Sequence, residues 1–156
     1  MSKIHPFLWF DDQAEEAMNF YVSVFPNSKA LQVVRNGEAG PGPKGSVLTA
    51  EFELDGRRFT ALNGGPHFQF TEAVSFVVDC ADQDEVDRYW TALSEGGEES
   101  QCGWLKDRFG LSWQVVPSAL PGYIGGPDAE GARRAMQAML QMTKLDIARL
   151  KAAYEG

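Results

Sequence analysis

The sequence predicts an α+β fold, in which two β-α-β-β-β modules form a curled mixed sheet and a C-terminal helical appendage follows. Strand-like and helix-like segments occur in the same order in both halves of the first 117 residues. The string Asp12-Gln13-x-Glu15 recurs 70 residues later as Asp82-Gln83-x-Glu85, and Phe20 recurs as Trp90 at the same offset. A constant offset together with a repeated element order indicates an internal duplication.

The first module is predicted to begin with a strand from Ile4 to Phe10, because this segment is apolar and aromatic. A helix follows, opened by Asp12 and Glu15 in the arrangement of a capping box and ended by Pro26-Asn27. Its apolar residues recur at helical spacing: Ala14, Ala17, Met18, Tyr21, Val22 and Phe25.

Three more strands complete the first module, at Ala30 to Val34, Val47 to Leu54 and Arg57 to Leu62. The glycine- and proline-rich stretch from Asn36 to Gly45 predicts a loop between the first two of them. Asp55-Gly56 is a hairpin signal that joins the last two.

The second module repeats this order. Its predicted elements are a strand over Ala73 to Cys80, a helix over Asp82 to Glu95, a strand near Glu99 to Leu105, a turn at Asp107 to Gly110 and a strand over Leu111 to Val116. Gly96-Gly97 is expected to end the helix, since glycine is favoured just past a helix end.

The segment after Pro117 has a different pattern. Gly122 to Pro127 predicts a linker, and residues 128–154 predict either one bent helix or two. Met136, Met139 and Met142 form an apolar stripe that must be buried against the sheets or against another subunit. The expected organisation is one domain, 1–120, made of repeats at about 1–66 and 72–117, and a C-terminal helical extension, 121–156.

Composition excludes several partners. The 156-residue chain has a formal charge of −8, which argues against binding to nucleic acids or anionic membranes. No apolar run reaches membrane-spanning length, and the N-terminus lacks the pattern of a signal peptide. The two cysteines, Cys80 and Cys102, are too few for a disulfide framework, so we expect a reduced, cytoplasmic protein.

Motifs of several common catalytic sites are missing. No Gly-x-Ser-x-Gly elbow presents a serine, and no Gly-x-Gly-x-x-Gly turn joins a strand to a helix to hold a nucleotide or a methyl donor. Lys44 in the glycine-rich loop is followed by a glycine and a strand, unlike the lysine of a phosphate-binding loop. No histidine lies near Cys102 in sequence, which disfavours thiol catalysis.

Strand alternation selects the first candidate site residues. It puts His5, Phe7 and Trp9 on one face of the first strand. On the last strand Gln114 and Trp113 lie on opposite faces, so either an amide or an indole faces the concave side. His5 is read as a ligand-binding residue or, alternatively, as a hydrogen-bonded residue at a strand end.

The joint between the two halves offers further candidates. The segment from Asn63 to Phe70 contains Asn63, His67 and two aromatic residues, and loops held by a rigid scaffold often carry binding groups. The alternative for His67 is an exposed position on a glycine- and proline-containing crossover.

Four strings in the chain are recognisable together: Ile4-His5-Pro6-Phe7-Leu8-Trp9-Phe10, Leu62-Asn63-Gly64-Gly65-Pro66, Val74-Ser75-Phe76 and the run from Cys102-Gly103-Trp104 to Gln114. The sequence resembles the PhnB-like branch of the vicinal oxygen chelate superfamily. Members of this branch are often labelled 3-demethylubiquinone 3-methyltransferase-like. The resemblance implies the glyoxalase/bleomycin resistance/dioxygenase fold, usually in a homodimer with a ligand in the concavity of the sheet.

The same resemblance bears on metal binding. In metal-dependent members of the superfamily, ligands come from the first and last strands of each half. His5 matches the first of these positions, and Gln114 matches the last, where glutamate is typical. The other two positions offer Ala61 and either Ala73 or Ser75, which are poor ligands for a divalent metal. We therefore expect no metal or other cofactor, and a divalent metal is the disfavoured alternative.

The leading hypothesis is a homodimer that binds a small aromatic or carbonyl-bearing metabolite in a cup at the sheet concavity. The predicted substrate-binding residues are His5, Phe7, Trp9, Asn63, His67, Trp104 and Gln114. One alternative is a metal-dependent lyase or isomerase, with His5 as metal ligand or general base. Another is a protein that sequesters a drug or metabolite without changing it. Methyl transfer is not expected, because no donor site is recognisable.

Overall fold

The structure is a computed structural model that describes residues 2–156. The chain divides into two compact units, one extending to Phe70 and the other running from Thr71 to Gly156. Each unit contains one four-stranded sheet and at least one helix. The predicted α+β class is confirmed.

The first unit has the predicted β-α-β-β-β order. Its elements are β1 (Phe7–Phe10), α1 (Ala14–Val24), β2 (Lys29–Arg35), β3 (Val47–Leu54) and β4 (Arg57–Asn63). The strand order in the sheet is β1-β4-β3-β2, with β1 parallel to β4 and the other pairs antiparallel. The sheet is therefore mixed.

Helix α1 packs on one side of this sheet, and the strand alternation follows from that contact. Tyr21 on α1 lies 6.3 Å from Phe52 on β3 between ring centroids. On β1 the side chains of Leu8 and Phe10 are buried, whereas Phe7 is 57% exposed to solvent. The predicted division of the first strand into two faces is confirmed for the residues of β1.

Two local predictions for the first unit are wrong. Strand β1 begins at Phe7 and not at Ile4, because only residues 7–10 pair with β4. The residue at the N-cap of α1 is Gln13, and it makes no side-chain capping bond. The capping box predicted at Asp12 and Glu15 is absent, because the helix begins at Ala14 with Gln13 and not Asp12 at its N-cap. The side chain of Asn63 accepts a hydrogen bond from Ala14 N.

The second unit contains the second module and the appendage. Its elements are β5 (Ser75–Cys80), α2 (Gln83–Ser94), β6 (Glu98–Glu99), β7 (Trp104–Lys106), β8 (Ser112–Pro117), α3 (Leu120–Ile124), α4 (Ala129–Met139) and α5 (Ile147–Glu155). The strand order is β5-β8-β7-β6, with β5 parallel to β8. This order matches that of the first sheet, position by position.

Two boundaries in the second unit differ from the prediction. The single strand expected near Glu99 to Leu105 is divided into β6 and β7, because Cys102 and Gly103 both have positive φ values, of 58° and 84°. Two consecutive left-handed residues turn the chain and cannot continue a strand. The linker predicted at Gly122 to Pro127 is partly helical, since α3 begins at Leu120 with Pro121 in its first turn.

The appendage consists of two longer helices and not one bent helix. Leu120, Met142, Leu145 and Leu150 form its buried cluster. Met142 is 1% exposed and Met136 is 37% exposed, so the methionine stripe is only partly buried within the chain. No helix within residues 2–156 has the length and apolar character that crossing a bilayer requires.

Candidate functional site

The side of the first sheet opposite α1 carries His5, Phe7 and Trp9. Phe7 pairs with Thr60 and Trp9 with Leu62, so these four side chains share one face, here called the open face of the first sheet. His5 precedes β1, and its Nε2 lies 3.1 Å from Thr60 Oγ1. Thr60 is 7% exposed. The histidine is thus hydrogen-bonded at a strand end and half-buried beside the two aromatic residues.

Thr60 is a site residue that the sequence analysis missed. The sequence suggested Ala61 for this position on the last strand of the first module. Ala61 pairs with Leu8 and is fully buried on the α1 side. The parallel register of β1 and β4 decides this, and register is a tertiary property. Alternation within β4 contained the signal, because Phe59 and Ala61 are apolar whereas Arg58 and Thr60 are polar.

The indole of Trp9 is held in one position. Its Nε1 donates a hydrogen bond to the carbonyl oxygen of Gly65 at 2.9 Å. A Cβ atom on Gly64 would lie 2.4 Å from the indole ring, so only glycine allows the ring to lie against the backbone there. Phe68 contacts the indole edge-on, with centroids 4.9 Å apart.

A cavity of about 870 Å³ lies in the first unit at the end of β4, under the loop that begins at Asn36. Trp9, Asn63 and His67 line it, so three of the predicted binding residues meet in one place. His5 and Phe7 are outside its lining, although they lie on the open face together with Trp9.

The amide of Asn63 is engaged within the protein. Its Oδ1 accepts from Ala14 N at 2.8 Å, and its Nδ2 donates to the carbonyl oxygen of Val47 at 3.0 Å. The side chain therefore joins the start of α1 to the start of β3. Its contribution to the cavity is to hold the wall in place.

The second unit has an equivalent pair of polar side chains. Gln114 Nε2 donates to Ser75 Oγ at 2.9 Å. Trp104 is the partner of Gln114 across the β7–β8 pairing, so both residues share one face of the second sheet. Trp113 points to the other face, is 3% exposed, and donates from Nε1 to Asp107 Oδ2 at 2.8 Å. The amide, and not the indole, occupies the face opposite α2.

A smaller cavity, of about 510 Å³, lies beside Trp104 in the second unit. Lys106 lines it and forms an ion pair with Glu72, with 3.0 Å between Nζ and Oε1. The hydrogen bond from Lys106 lowers the pKa of the Glu72 carboxyl below its ordinary value. Ser112 is fully buried on the same wall, and its Oγ has no hydrogen-bond partner.

The four positions that correspond to the metal ligands of related proteins do not suit a divalent metal. The four positions are His5, Thr60, Ser75 and Gln114. His5 and Ser75 are equivalent because they are separated by the 70-residue offset of the repeat. Thr60 and Gln114 are equivalent because Thr60 pairs with Phe7 as Gln114 pairs with Val77, the residue 70 positions after Phe7. One imidazole and three uncharged oxygen donors leave such a cation without a compensating negative charge. In the part of the chain that the structure describes, no group of three or more His, Cys, Asp or Glu side chains could hold a metal ion.

Comparison with known proteins gives the family. The family model for 3-demethylubiquinone-9 3-methyltransferase matches residues 2–116. The chain is similar to the PhnB protein of Bacillus cereus, at 36% identity and a TM-score of 0.70, over 75% of this chain and 100% of that one. A comparison with curated proteins found no match.

Two further solved structures share the fold. A Pseudomonas aeruginosa protein is 22% identical, with a TM-score of 0.63 over 75% of this chain and 98% of its own. The fosfomycin resistance protein FosX of Listeria monocytogenes is 16% identical, with a TM-score of 0.57 over 76% of this chain and 93% of its own. The chain belongs to the 3-demethylubiquinone-9 3-methyltransferase family, the PhnB-like branch of the vicinal oxygen chelate superfamily.

Proposed function

We propose that this protein binds a small aromatic or carbonyl-bearing metabolite at the first sheet, in the cavity beside Trp9. The observation that carries the proposal is that Trp9, Asn63 and His67 line one cavity of about 870 Å³. Cavities of this size commonly hold small organic ligands.

The fixed indole supports an aromatic ligand. Its N–H is already bonded to Gly65, so the ring contributes apolar and π contacts more than a free donor. Aromatic pairs gain about 0.5–1.5 kcal/mol beyond the burial of their area. His67 is exposed at the cavity wall and can donate a hydrogen bond to a carbonyl oxygen.

Catalysis is the second candidate, and it depends on His5. The hydrogen bond between His5 Nε2 and Thr60 Oγ1 orients an imidazole on the open face of the first sheet, where it could act as a general base in a lyase or isomerase. Sequestration would use the same contacts without turnover. Measuring product formation separates the two.

Methyl transfer is outside the proposal. A nucleotide-like methyl donor is usually held by a glycine-rich turn between a strand and a helix. Within residues 2–156 the turns that join a strand to a following helix are Asp11-Asp12-Gln13, Ala81-Asp82 and Ser118-Ala119, and none of them contains a glycine.

We also propose a homodimer in the cytoplasm. Phe7 is 57% exposed on the first sheet and Val77 is 53% exposed on the second, and apolar side chains of this kind favour burial against another surface. Cys80 and Cys102 are both free thiols, which suits a reducing compartment.

Native mass spectrometry of protein purified without a chelator tests these points. The expected spectrum shows a dimer that retains a small organic molecule. Trp9→Ala should reduce the retained fraction at least about tenfold. Leu140→Ala is the control, since Leu140 is an exposed apolar side chain that lines neither of the two cavities.

Two results would contradict the proposal. One is equal loss of the molecule from both variants. The other is that the protein retains no molecule, and that no compound in a library of aromatic and carbonyl compounds changes the NMR signal of the Trp9 indole N–H. If the ligand is consumed and His5→Ala abolishes its consumption, the lyase or isomerase candidate replaces simple binding.

A further inference from the structure

We propose that Thr60 holds the imidazole of His5 in the tautomer with its proton on Nδ1, so that His5 offers a hydrogen-bond donor on the open face of the first sheet. The ligand group that suits this donor is an acceptor oxygen of a carbonyl or carboxylate. The choice of ligand group rests on the proposed function, which assigns a carbonyl-bearing metabolite to the first sheet. The tautomer itself follows from contacts within the chain.

The backbone fixes where the imidazole lies. His5 precedes Pro6, and a residue before proline is restricted to extended conformations. The backbone N–H of Thr60 donates to the carbonyl oxygen of Pro6 at 3.1 Å, which ties this segment to β4. His5 Nε2 then lies 3.1 Å from Thr60 Oγ1. The ring is therefore held beside β4 by the protein alone, with no ligand needed to place it.

The hydroxyl of Thr60 has one hydrogen-bond partner within residues 2–156, the ring of His5. Thr60 is 7% exposed, so water has little access to it. Glu51 pairs with Thr60 across β3 and β4, but its Oε1 accepts from Arg58 Nε at 2.5 Å and not from the hydroxyl. The proton of the hydroxyl therefore has one acceptor among these side chains, which is Nε2 of His5.

The two directions of the bond between His5 and Thr60 are not equivalent, because a hydroxyl has one proton to donate and two lone pairs. If Nε2 donated, the hydroxyl proton would be buried without an acceptor, which is costly. If the hydroxyl donates, only lone pairs are left unfilled, and proteins tolerate this better. The second arrangement leaves Nε2 unprotonated, so the proton of the neutral ring is on Nδ1.

The Nδ1 atom of His5 is available to a ligand. It has no hydrogen-bond partner within residues 2–156, and the ring is half-buried beside Phe7. The basic lone pair of the ring is engaged by Thr60, so in this arrangement His5 polarises a carbonyl group and does not remove a proton. Thr60 is a positioning residue, since it acts through His5.

Long-range ¹H–¹⁵N NMR of the full-length ¹⁵N-labelled protein reports the tautomer directly, because protonated and unprotonated ring nitrogens have well-separated shifts. The chain has two histidines, so His67→Gln identifies the signals of His5. In mildly alkaline buffer, where an ordinary imidazole is neutral, we expect the proton of His5 on Nδ1. His67 is exposed and has no hydrogen-bond partner in the described part of the chain, so it is the unbiased reference.

Variants of Thr60 test whether its hydroxyl is responsible. Thr60→Val keeps the shape of the side chain and removes the hydroxyl, so the tautomer distribution of His5 should become like that of His67. Thr60→Ser retains the hydroxyl and should retain the wild-type tautomer. The matched control is Thr49→Val, because Thr49 pairs with Leu62 on the same face and has no hydrogen bond to His5. The control should leave the tautomer unchanged.

Acetophenone, an aromatic ketone, tests the ligand group. It should shift the Nδ1–H signal of His5 when it is titrated into the wild-type protein. Thr60→Val should weaken its affinity at least about threefold, since the ring then offers its donor only part of the time. Thr49→Val should leave the affinity unchanged.

The other outcomes overturn the inference or separate it from the proposed function. Protonation of Nε2 in the wild-type protein overturns it and leaves Nδ1 of His5 as a free base for a lyase or isomerase. The same tautomer in wild type and Thr60→Val also overturns it, because Thr60 then does not set the ring. If acetophenone shifts the Trp9 indole N–H signal without shifting His5, the donor role fails and binding beside Trp9 stands. If it shifts neither signal while the tautomer responds to Thr60 as expected, the proposed carbonyl binding fails and the positioning role of Thr60 stands.

Discussion

Asn63 caps a helix that begins 49 residues earlier in the chain: its Oδ1 accepts a hydrogen bond from Ala14 N at 2.8 Å. The equivalent helix of the second unit, α2, is capped locally, because Asp82 Oδ1 accepts from Glu85 N at 2.9 Å. The two modules thus share their element order, but the first turn of the helix is capped by a distant residue in the first module and by a local residue in the second. In the first module the cap is also a wall of the cavity.

Asn63→Ala should destabilise the protein by about 2 kcal/mol, since it removes a helix cap and leaves Ala14 N without its side-chain acceptor. Urea unfolding followed by circular dichroism measures this difference. Asn19→Ala, at an exposed position on α1, is the control and should change stability by less than about 0.5 kcal/mol. Equal effects of the two substitutions would mean that the cap contributes nothing.

Gly64→Ala should displace the Trp9 indole, because the new Cβ would lie 2.4 Å from the ring. We expect a change in the Trp9 indole N–H chemical shift and a loss of about 1–3 kcal/mol in the free energy of unfolding. Gly122→Ala is the control, as nothing lies within 4 Å of a Cβ atom there. An unchanged Trp9 signal in Gly64→Ala would show that the ring is not held as described.

Asp107→Ala should be among the more damaging single substitutions in the second unit. Asp107 is 3% exposed and accepts from the indole of Trp113 at 2.8 Å and from Phe109 N at 2.8 Å. Its removal leaves buried donors unpaired, at a cost of about 3 kcal/mol. Unfolding followed by tryptophan fluorescence measures this, with exposed Asp84→Ala as the control. A loss below about 1 kcal/mol would contradict the prediction.

The ion pair between Asp87 and Lys144 should make the free energy of unfolding depend on pH in the acidic range. The hydrogen bond from Lys144, with 2.8 Å between Nζ and Oδ1 in the ion pair, lowers the pKa of the Asp87 carboxyl, and a second bond from Gln83 does the same. A carboxyl with a lowered pKa in the folded state stabilises the protein above its ordinary pKa. That contribution is lost as the pH falls through the folded-state value.

Asp87→Asn should therefore slightly lower the urea midpoint of unfolding at neutral pH. The variant's midpoint should also fall less steeply than that of the wild-type protein as the pH drops below the ordinary pKa of aspartate. The effect is small because the side chains are 46% and 41% exposed. Asp84→Asn on the same helix is the control for the charge change. Parallel pH profiles for the wild-type protein and Asp87→Asn would show that the pair does not contribute.

The two cysteines should react at very different rates. Burial raises the pKa of the Cys80 thiol to about 12, so almost none of it is thiolate at neutral pH. Cys102 is partly exposed at the β6–β7 turn. We expect one rapid modification of the native protein by iodoacetamide, absent in Cys102→Ser, and a second only after unfolding. Mass spectrometry counts the adducts, and rapid double labelling of the native protein would refute this.

The sequence alone was sufficient for the element order of the first module, because hydrophobic periodicity and turn residues are local signals. In the second module it missed only the division of one strand into β6 and β7. It also predicted the division of β1 into two faces, and the structure shows that the face of Leu8 and Phe10 is the buried one, at 6% and 3% exposed. The resemblance to the PhnB-like branch followed from contiguous strings and needed no coordinates, and the family comparison confirms it.

Tertiary structure decided the features that join distant segments. Strand register placed Thr60, and not Ala61, beside His5. The choice between Gln114 and Trp113 depended on which face of β8 packs in the core, and Trp113 is the buried one. No local signal reports these facts, because a one-residue change of register exchanges the faces of a strand without changing its periodicity.

The cavity depended still more on tertiary structure. Its walls come from three parts of the chain: the β1–α1 junction, the loop after β2 with the start of β3, and the end of β4 with the residues that follow. The sequence determined that acidic residues open α1 and that Trp9 precedes them. Only the folded chain brings those carboxylates, Trp9 and Asn36 around one space, because a concave surface forms when packed elements meet and is not a property of any single segment.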